Sequence, residues 1–421
     1  MLSTLRNAWK VQDLRKKIIW TVFLIAIFRM GSYIPVPGID TDSLKALTQS
    51  GSLVSFYDLI SGGSFSRFSI FALGVVPYIN ASIIMQLLTV AIPKLEQLSK
   101  EGDDGRKKIQ KITRYASIVI GAITAYGSYV IIHNVGALKS NSPVSMFLIL
   151  LTLVVGSTFL MWLGDQITVK GFGNGTSILI FVNIISRLPL TVSKVLSLEV
   201  DKVALALFIV AVIALLAISI FFSLAERKIP VQYAGKAVGN KVMKGQSTHI
   251  PLSIISAAVI AIIFAMSVMG FPKAIAQFFP NSSVSQWIIG SSYSIFNEKT
   301  WMYPVIFALL TVFFTWFYNE VTLKPDEMAE NLNKSAGFVP GIRPGEQTTE
   351  YFEKILARVS IIGGVFAAFL AVTPILVEQY TPFKGIQFGA TAVLIVIGVA
   401  MDFSRQLQSQ MVMRHYEGFL K

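Results

Sequence analysis

Few side chains in this sequence belong to the types that catalyse reactions or bind metals. The 421 residues include no cysteine, and the three histidines, His133, His249 and His415, are too far apart to suggest a metal cluster by spacing. The glycine-rich residues 171–175 follow no predicted strand and fit neither phosphate-loop pattern, so we predict a tight turn that leads into a helix. We therefore predict no catalytic residue, no metal site and no cofactor, and a protein that is not an enzyme.

Charged residues within the apolar segments are also sparse. Arg29 is the one charge embedded in such a segment, whereas Asp165 and Asp402 lie near segment ends. A proton-coupled carrier usually needs a carboxylate or a histidine inside the membrane, so this pattern argues against the commonest transporters. We expect Arg29 to pair inside a helix bundle or to extend toward the membrane surface; a substrate counter-ion is the alternative.

The composition predicts a membrane protein, since 53% of the residues are hydrophobic and 14% are charged. A transmembrane helix needs roughly 20 mostly apolar residues, and long stretches without Asp, Glu, Lys or Arg locate the spans. Residues 274–297 also lack charge, but they are rich in serine and have no sustained apolar run, so we predict an exterior loop there. The ten predicted spans are 18–34, 68–93, 115–138, 140–164, 171–186, 203–225, 245–272, 300–319, 359–377 and 385–401.

The distribution of basic residues predicts the orientation. With the N-terminus inside, the inner segments hold 26 of the 36 lysines and arginines, the outer segments hold 9, and Arg29 is the remaining one. Because basic residues are enriched in cytoplasmic segments, we predict a multi-pass protein with both termini cytoplasmic. The net charge of +13 then reflects topology and cytoplasmic partners, with no nucleic-acid binding beyond contact with ribosomal RNA.

Two spans carry helix breakers. Gly74 and Pro77 interrupt 68–93, so we predict a short helical piece up to Leu73 and a full helix from Pro77 onward. Glycines at the start of 171–186 shorten the fifth span. Broken helices at membrane depth line a cavity or are buried in protein, and a proline kink in an ordinary bundle is the alternative.

Two long cytoplasmic loops, 226–252 and 320–358, are candidate docking surfaces. The first carries Lys236, Lys241 and Lys244, and the second places Arg343 within a turn rich in glycine and proline. Such residues preset a rigid turn, which favours a docking site; a merely solvated loop is the alternative.

Several sequence blocks resemble the SecY family of protein-conducting channels. In chain order they are IPVPG at 34–38, SGG at 61–63, FALGVVPYI at 71–79, MWLGDQIT at 161–168, GNG at 173–175, QSTHIPL at 246–252 and GIRPG at 341–345. The resemblance implies an all-α membrane protein with ten transmembrane helices in two inverted five-helix halves around a central hourglass pore. The implied parts are an N-terminal half, 1–186, an exterior linker, 187–202, and a C-terminal half, 203–421.

The resemblance also assigns roles to residues. Residues 61–73 would form a plug that closes the outer funnel, and a lateral gate would open between spans 2 and 3 on one side and 7 and 8 on the other. The plug positions are Ser61, Gly62, Gly63, Ser64, Phe65, Ser66, Arg67, Phe68 and Ser69. The pore-constriction positions are Val75, Ile79, Thr176, Ile180, Ile263 and Ile395. The positions for docking SecA or the ribosome are Arg343, Lys236, Lys241 and Lys244.

Two departures from the family pattern stand out. Thr176 places a hydroxyl where the family usually has an aliphatic residue. In the seventh span Ile255, Ala258 and Ala261 stand where the family commonly has Asn, Gly and Pro. A narrow apolar constriction gates by dewetting. The polar hydroxyl of Thr176 therefore argues against assigning this residue to the constriction.

The function implied by the resemblance is passive passage of unfolded secretory polypeptides across the bacterial cytoplasmic (inner) membrane, with lateral release of transmembrane segments into lipid. The implied partners are SecE, a SecG-like subunit, the SecA ATPase, the ribosome, and a signal sequence with its nascent or secretory polypeptide. A secondary transporter of a small solute is the alternative, and a pure assembly scaffold is a third possibility.

Overall fold

The computed structural model describes most of the chain. The described residues are 9, 11–40, 61–197, 201–233, 237–238, 241–242, 247–253, 258–278, 282–291, 293–297, 300–382 and 390–419.

The structure is mostly helical, with thirteen helices in the described residues. They are α1 (Gln12–Gly31), α2 (Val76–Ala91), α3 (Pro93–Lys100), α4 (Asp103–Val135), α5 (Pro143–Lys170), α6 (Gly175–Leu196), α7 (Lys202–Leu224), α8 (Ala258–Phe278), α9 (Ser283–Gly290), α10 (Met302–Leu323), α11 (Pro325–Lys334), α12 (Glu346–Tyr380) and α13 (Ala390–Phe419).

Six helical segments of the described chain are long and apolar enough to cross a membrane. They are α4, α5, α6, α7, α10 together with α11, and α12. The pair α2 and α3, bent by 100° at its break, would be a seventh if it counts as one span. The protein is thus a multi-pass membrane protein, and the count of ten spans stays a prediction.

A small sheet corrects the expectation of an all-α fold. Strand β1 (Glu226–Tyr233) pairs antiparallel with β4 (Ser247–Ser253) and with β5 (Gly337–Phe338), and β2 (Ala237–Val238) pairs with β3 (Lys241–Val242). The predicted loop 226–252 is therefore largely a hairpin. Its signal was the alternation in β1, where Ile229 and Val231 are buried between exposed neighbours, because a strand places alternate residues on opposite faces.

The expected linker and loops are also more helical than predicted. Helix α6 continues to Leu196, with Pro189 inside it, so it includes much of the predicted linker 187–202. The predicted exterior loop 274–297 contains the end of α8 and all of α9. The predicted loop 320–358 contains the end of α10, α11 and the start of α12. A scan for charge-free stretches stops at the first charge, such as Arg187 or Glu320, whereas a helix continues past it into the membrane interface.

The turn before α6 forms as predicted. Asn174 accepts a hydrogen bond from the backbone N–H of Ser177 (3.2 Å), and the Gly175 N–H donates to Oγ1 of Thr168 (2.8 Å). These contacts satisfy donors at the helix start, which have no partner within the helix itself. Gly173, at φ +81°, supplies the left-handed residue that the turn requires.

Residues 61–75 correct the prediction of a short helical piece before Pro77. They form consecutive turns, with left-handed backbone at Gly62, Gly63 and Gly74 and also at Phe68, which has φ +43°. A left-handed residue interrupts a right-handed helix, so the segment folds as a compact coil. It ends where α2 begins at Val76, with Pro77 in its first turn.

Candidate functional site: an apolar cluster, a buried coil and a docking-loop unit

Four of the six predicted constriction residues lie in one apolar cluster. Val75 and Ile180 are buried members of it, and Ile79 and Ile395 pack against it half-buried. We call it the seal cluster; its other buried members are Leu24, Phe28, Phe71, Leu160, Leu163, Ile167, Ile178, Leu179 and Ile184. The sequence separates these residues by hundreds of positions, and the packing of α1, α2, α5, α6 and α13 brings them together.

The other two predicted constriction residues lie outside the seal cluster. Thr176 is half-buried at the start of α6, and its Oγ1 would lie 3.4 Å from a Cβ added at Gly164 on α5. Ile263 is half-buried on α8, between the buried Ile262 and Phe264. The hydroxyl of Thr176 therefore lies beside a neighbouring helix, and Ile263 lies on α8, which contributes no described residue to the seal cluster.

The predicted plug residues form a buried coil beside this cluster. Residues 61–65 and 68–69 are buried, whereas Ser66 and Arg67 are half-buried. The backbone of the coil pairs with the chain after α1: the Val36 N–H donates to the Phe68 carbonyl, and the Ile70 N–H donates to the Ile34 carbonyl, both at 2.9 Å. The coil is thus hydrogen-bonded in place.

Aromatic and apolar packing holds the coil from two sides. Phe65 and Phe68 pack in a cluster with Ile132 of α4 and Leu153 of α5. Phe71 stacks on Phe159 of α5, with ring centroids 5.9 Å apart and an interplanar angle of 4°. Phe71 belongs to the seal cluster, so the coil contributes side chains both to that cluster and to the one around Ile132 and Leu153.

Three arginines lie around the coil. Arg29 donates a 3.4 Å hydrogen bond to Oδ1 of Asn183. It therefore pairs inside the bundle, which is one of the two placements that we predict for it. The Arg67 guanidinium lies 4.5 Å from the Tyr33 ring centroid and donates to the Gly62 carbonyl at 3.4 Å. Arg187 donates to the Ser66 hydroxyl, also at 3.4 Å. These contacts tie α1 and α6 to the coil.

One polar contact between α2 and α8 was missed in the sequence. The Ser267 hydroxyl on α8 donates to Oδ1 of Asn80 on α2 at 3.1 Å, and both residues are half-buried. An asparagine in an otherwise apolar span is the signal that could have revealed it, because a polar side chain at membrane depth usually finds a partner. Two of the three residues of the seventh span that depart from the family pattern, Ala258 and Ala261, are fully buried on α8. The third, Ile255, lies outside the described residues.

The two predicted docking loops form one unit with a shared core, which we call the docking-loop unit. Val339 packs with Ile229 and Val231 of β1 and with Phe352 and Leu356 of α12. Arg343 is exposed on the turn that follows Val339, with Gly341 at φ +84° and Gly345 at φ +106° on either side. The buried Thr348 donates to the Arg343 carbonyl at 2.9 Å, so the backbone of the turn is anchored while the guanidinium faces solvent.

The predicted docking lysines are only partly within the described residues. Lys236 and Lys244 lie outside them, and Lys241 is the first residue of β3. Arg343 is therefore the one predicted docking side chain whose surroundings the structure describes.

Comparison with known proteins identifies the family. A family model described as SecY matches residues 69–404. The chain belongs to the SecY family. The "Protein translocase subunit SecY" of Halalkalibacterium halodurans is 41% identical over 435 residues, covering 100% of both chains.

Solved structures share the SecY fold with this chain. "The structure of a protein conducting channel" superposes with a TM-score of 0.67 at 17% identity, covering 94% of this chain and 93% of the other. "Sec61 in the Canine ribosome-channel complex from the endoplasmic reticulum" gives a TM-score of 0.62 at 16% identity, covering 94% and 93%. At these identities the likeness concerns the fold alone.

Proposed function

We propose that this chain is the channel subunit of a protein translocase, through which unfolded secretory polypeptides cross the cytoplasmic membrane and transmembrane segments leave laterally into lipid. The observation that carries the proposal is the seal cluster, in which Val75, Ile79, Ile180 and Ile395 pack with residues of α1 and α5 next to a buried coil. A full-length relative named as a translocase subunit supports the same function.

The proposed mechanism of closure is an apolar constriction backed by a plug. A narrow ring of aliphatic side chains excludes water and with it ions, because a dry apolar constriction offers them no hydration. The coil of residues 61–73 would close the funnel on the exterior side of that ring. Its hydrogen bonds to the chain after α1 and to α6, and its apolar contacts with α4 and α5, favour the closed state. A translocating chain would have to displace it.

The proposed lateral gate lies where α2 and α4 meet α8 and α10. The hydrogen bond between Asn80 and Ser267 crosses that boundary. Ten Leu-like residues of a signal sequence gain roughly 3–6 kcal/mol on reaching lipid, and shifting a closed channel from 1:99 to 99:1 open needs about 5.5 kcal/mol. A signal helix can therefore open the gate only if the closed state is marginally preferred.

The remaining features of the proposal concern topology and partners. We assign ten spans in two inverted halves, both termini in the cytoplasm, and the docking-loop unit around Arg343 as the docking site for the ribosome and the SecA ATPase. The assignment of the ribosome as a partner is supported by a structural neighbour that was solved in a ribosome–channel complex. SecE and a SecG-like subunit are proposed from family resemblance.

The test of this function is site-specific crosslinking to a stalled secretory chain. A photoreactive residue at Ile79 or Ile263 should crosslink to a chain arrested in transit, because both positions would line the path. The matched control is Phe147 on α5, which is exposed on the outside of the bundle and should give no crosslink. Equal crosslinking at all three positions, or none at Ile79 and Ile263, would overturn the proposed path.

The alternative, a secondary transporter of a small solute, finds no support in the family match. It predicts a saturable solute flux in vesicles that hold the purified protein. Such a flux without passage of a secretory chain would favour it.

A further inference from the structure

The short helix α9 has an unusual distribution of side chains for a helix outside the membrane core. Ser285 is 4% exposed, whereas Val284 is 65%, Trp287 49% and Ile289 49% exposed. In water a surface helix buries its apolar residues and exposes its polar ones. Here a serine faces the protein, and a tryptophan and two aliphatic residues face outward.

Two of the exposed apolar residues lie on one side of the helix. Val284 and Trp287 stand at positions i and i+3, and Ile288, at i+4, is half-buried beside them. Gln286 is exposed about 200° around the helix from Val284, at 3.6 residues per turn. No residue of α9 is charged.

The chain on both sides of α9 also exposes apolar residues. Tyr293 is 81% and Trp301 is 69% exposed on the chain that leads to α10. The two helices that α9 connects expose apolar residues of their own, which are Val268 and Ile275 on α8 and Val305, Leu309 and Phe313 on α10. Exposed apolar side chains of this kind meet lipid in a membrane-spanning protein.

We propose that α9 lies in the plane of the membrane interface, with Val284 and Trp287 inserted among the headgroups and upper acyl chains of phospholipids. Tryptophan and tyrosine are enriched at that depth because their rings are amphipathic, and an interfacial helix inserts its apolar face while its polar face stays wet. The helix would fix the depth of the α8 and α10 ends that it connects. Its assignment to the exterior leaflet rests on the proposed topology, whereas its insertion does not.

Single-cysteine variants test this in the full chain, since the natural sequence has no cysteine. Val284→Cys and Gln286→Cys are matched sites on opposite sides of α9, and both are exposed, so neither should disturb folding. Each carries a nitroxide spin label in vesicles of phosphatidylglycerol and phosphatidylethanolamine. Collision rates are measured with oxygen, which concentrates in lipid, and with a water-soluble nickel chelate.

The expected result is a severalfold higher ratio of oxygen to nickel accessibility at residue 284 than at residue 286. Equal nickel accessibility at both sites would place α9 in water, and low accessibility to both reagents would place it in a protein contact. Either result overturns the proposal.

The leaflet is tested separately with the Gln286→Cys variant in spheroplasts. A membrane-impermeant maleimide should label it from outside. A lack of labelling, combined with the expected collision ratio, would overturn the exterior placement and the proposed topology while leaving the insertion of α9 intact.

Discussion

The predicted constriction residues in the seal cluster are ordinary aliphatic residues whose role comes from their position. Ile79 is half-buried against the cluster, one helical turn after the buried Val75. A polar group placed there in the closed state has no water to bind, whereas an open, wetted pore would hydrate it. Polarity at this residue therefore acts directly on the balance between the two states.

Ile79→Asn should raise the resting ion leak of the channel. Burying an amide without a partner costs about 1–3 kcal/mol, and a shift of that size changes an equilibrium about 5- to 150-fold. Ion flux through vesicles that contain the complex with SecE is the measurement, with Ile79→Leu as the control of conserved volume. A variant as ion-tight as the control would remove Ile79 from the seal.

Arg343→Glu should weaken docking of SecA or of the ribosome by about tenfold or more, since reversing an interfacial charge replaces attraction with repulsion. Folding should be unaffected, because the side chain is exposed and Thr348 binds the backbone carbonyl of Arg343. Binding affinity and transport rate are measured together. The control is Lys354→Glu, an exposed lysine paired with Glu350 on α12. Equal effects of both variants would argue for general electrostatics rather than a specific contact.

At the scale of elements, close packing between α5 and the coil makes a glycine indispensable. A Cβ added at Gly156 would overlap the backbone carbonyl oxygen of Ile70. A backbone atom cannot rotate away as a flexible side chain can, so the coil or the helix would have to shift. The proposed plug can thus pack against α5 only because residue 156 has no side chain.

Gly156→Ala should lower the stability of the protein by about 1–3 kcal/mol, the usual cost of overpacking. The measurement is the thermal unfolding midpoint of the purified protein. Gly290→Ala is the matched control, because a Cβ there meets no atom within 4 Å, and it should leave the midpoint unchanged or raise it. If Gly156→Ala is as stable as the control, the coil has freedom to move away from α5.

The whole molecule is organised by its arrangement across the membrane. The split of 26 against 9 basic residues predicts that orientation. The sheet and the Arg343 turn gather the basic segments 226–252 and 320–358 into one unit, which requires both segments to lie on the same side. The shared core of this unit agrees with the prediction that both segments lie on one side of the membrane, and which side that is stays a prediction from the basic residues.

Reporter fusions along the chain test the topology. Fusions after Lys108, Lys241 and Lys334 should report a cytoplasmic location, because basic segments stay inside. Fusions after Lys139, Asn281 and Lys384 should report an exterior location. Reversal at two or more of these sites would contradict the model of ten spans.

The sequence by itself determined the membrane class, the family and the position of most helices, because apolar run length and helix-breaking residues act locally. Tertiary structure alone decided that residues 61–75 coil, since their left-handed turns are stabilised by contacts with α1, α4 and α5. It also decided that Asn80 meets Ser267 and that two separate loops share one core. Contacts between distant residues depend on how helices pack, and a charge-free stretch carries no information about which neighbour it will meet.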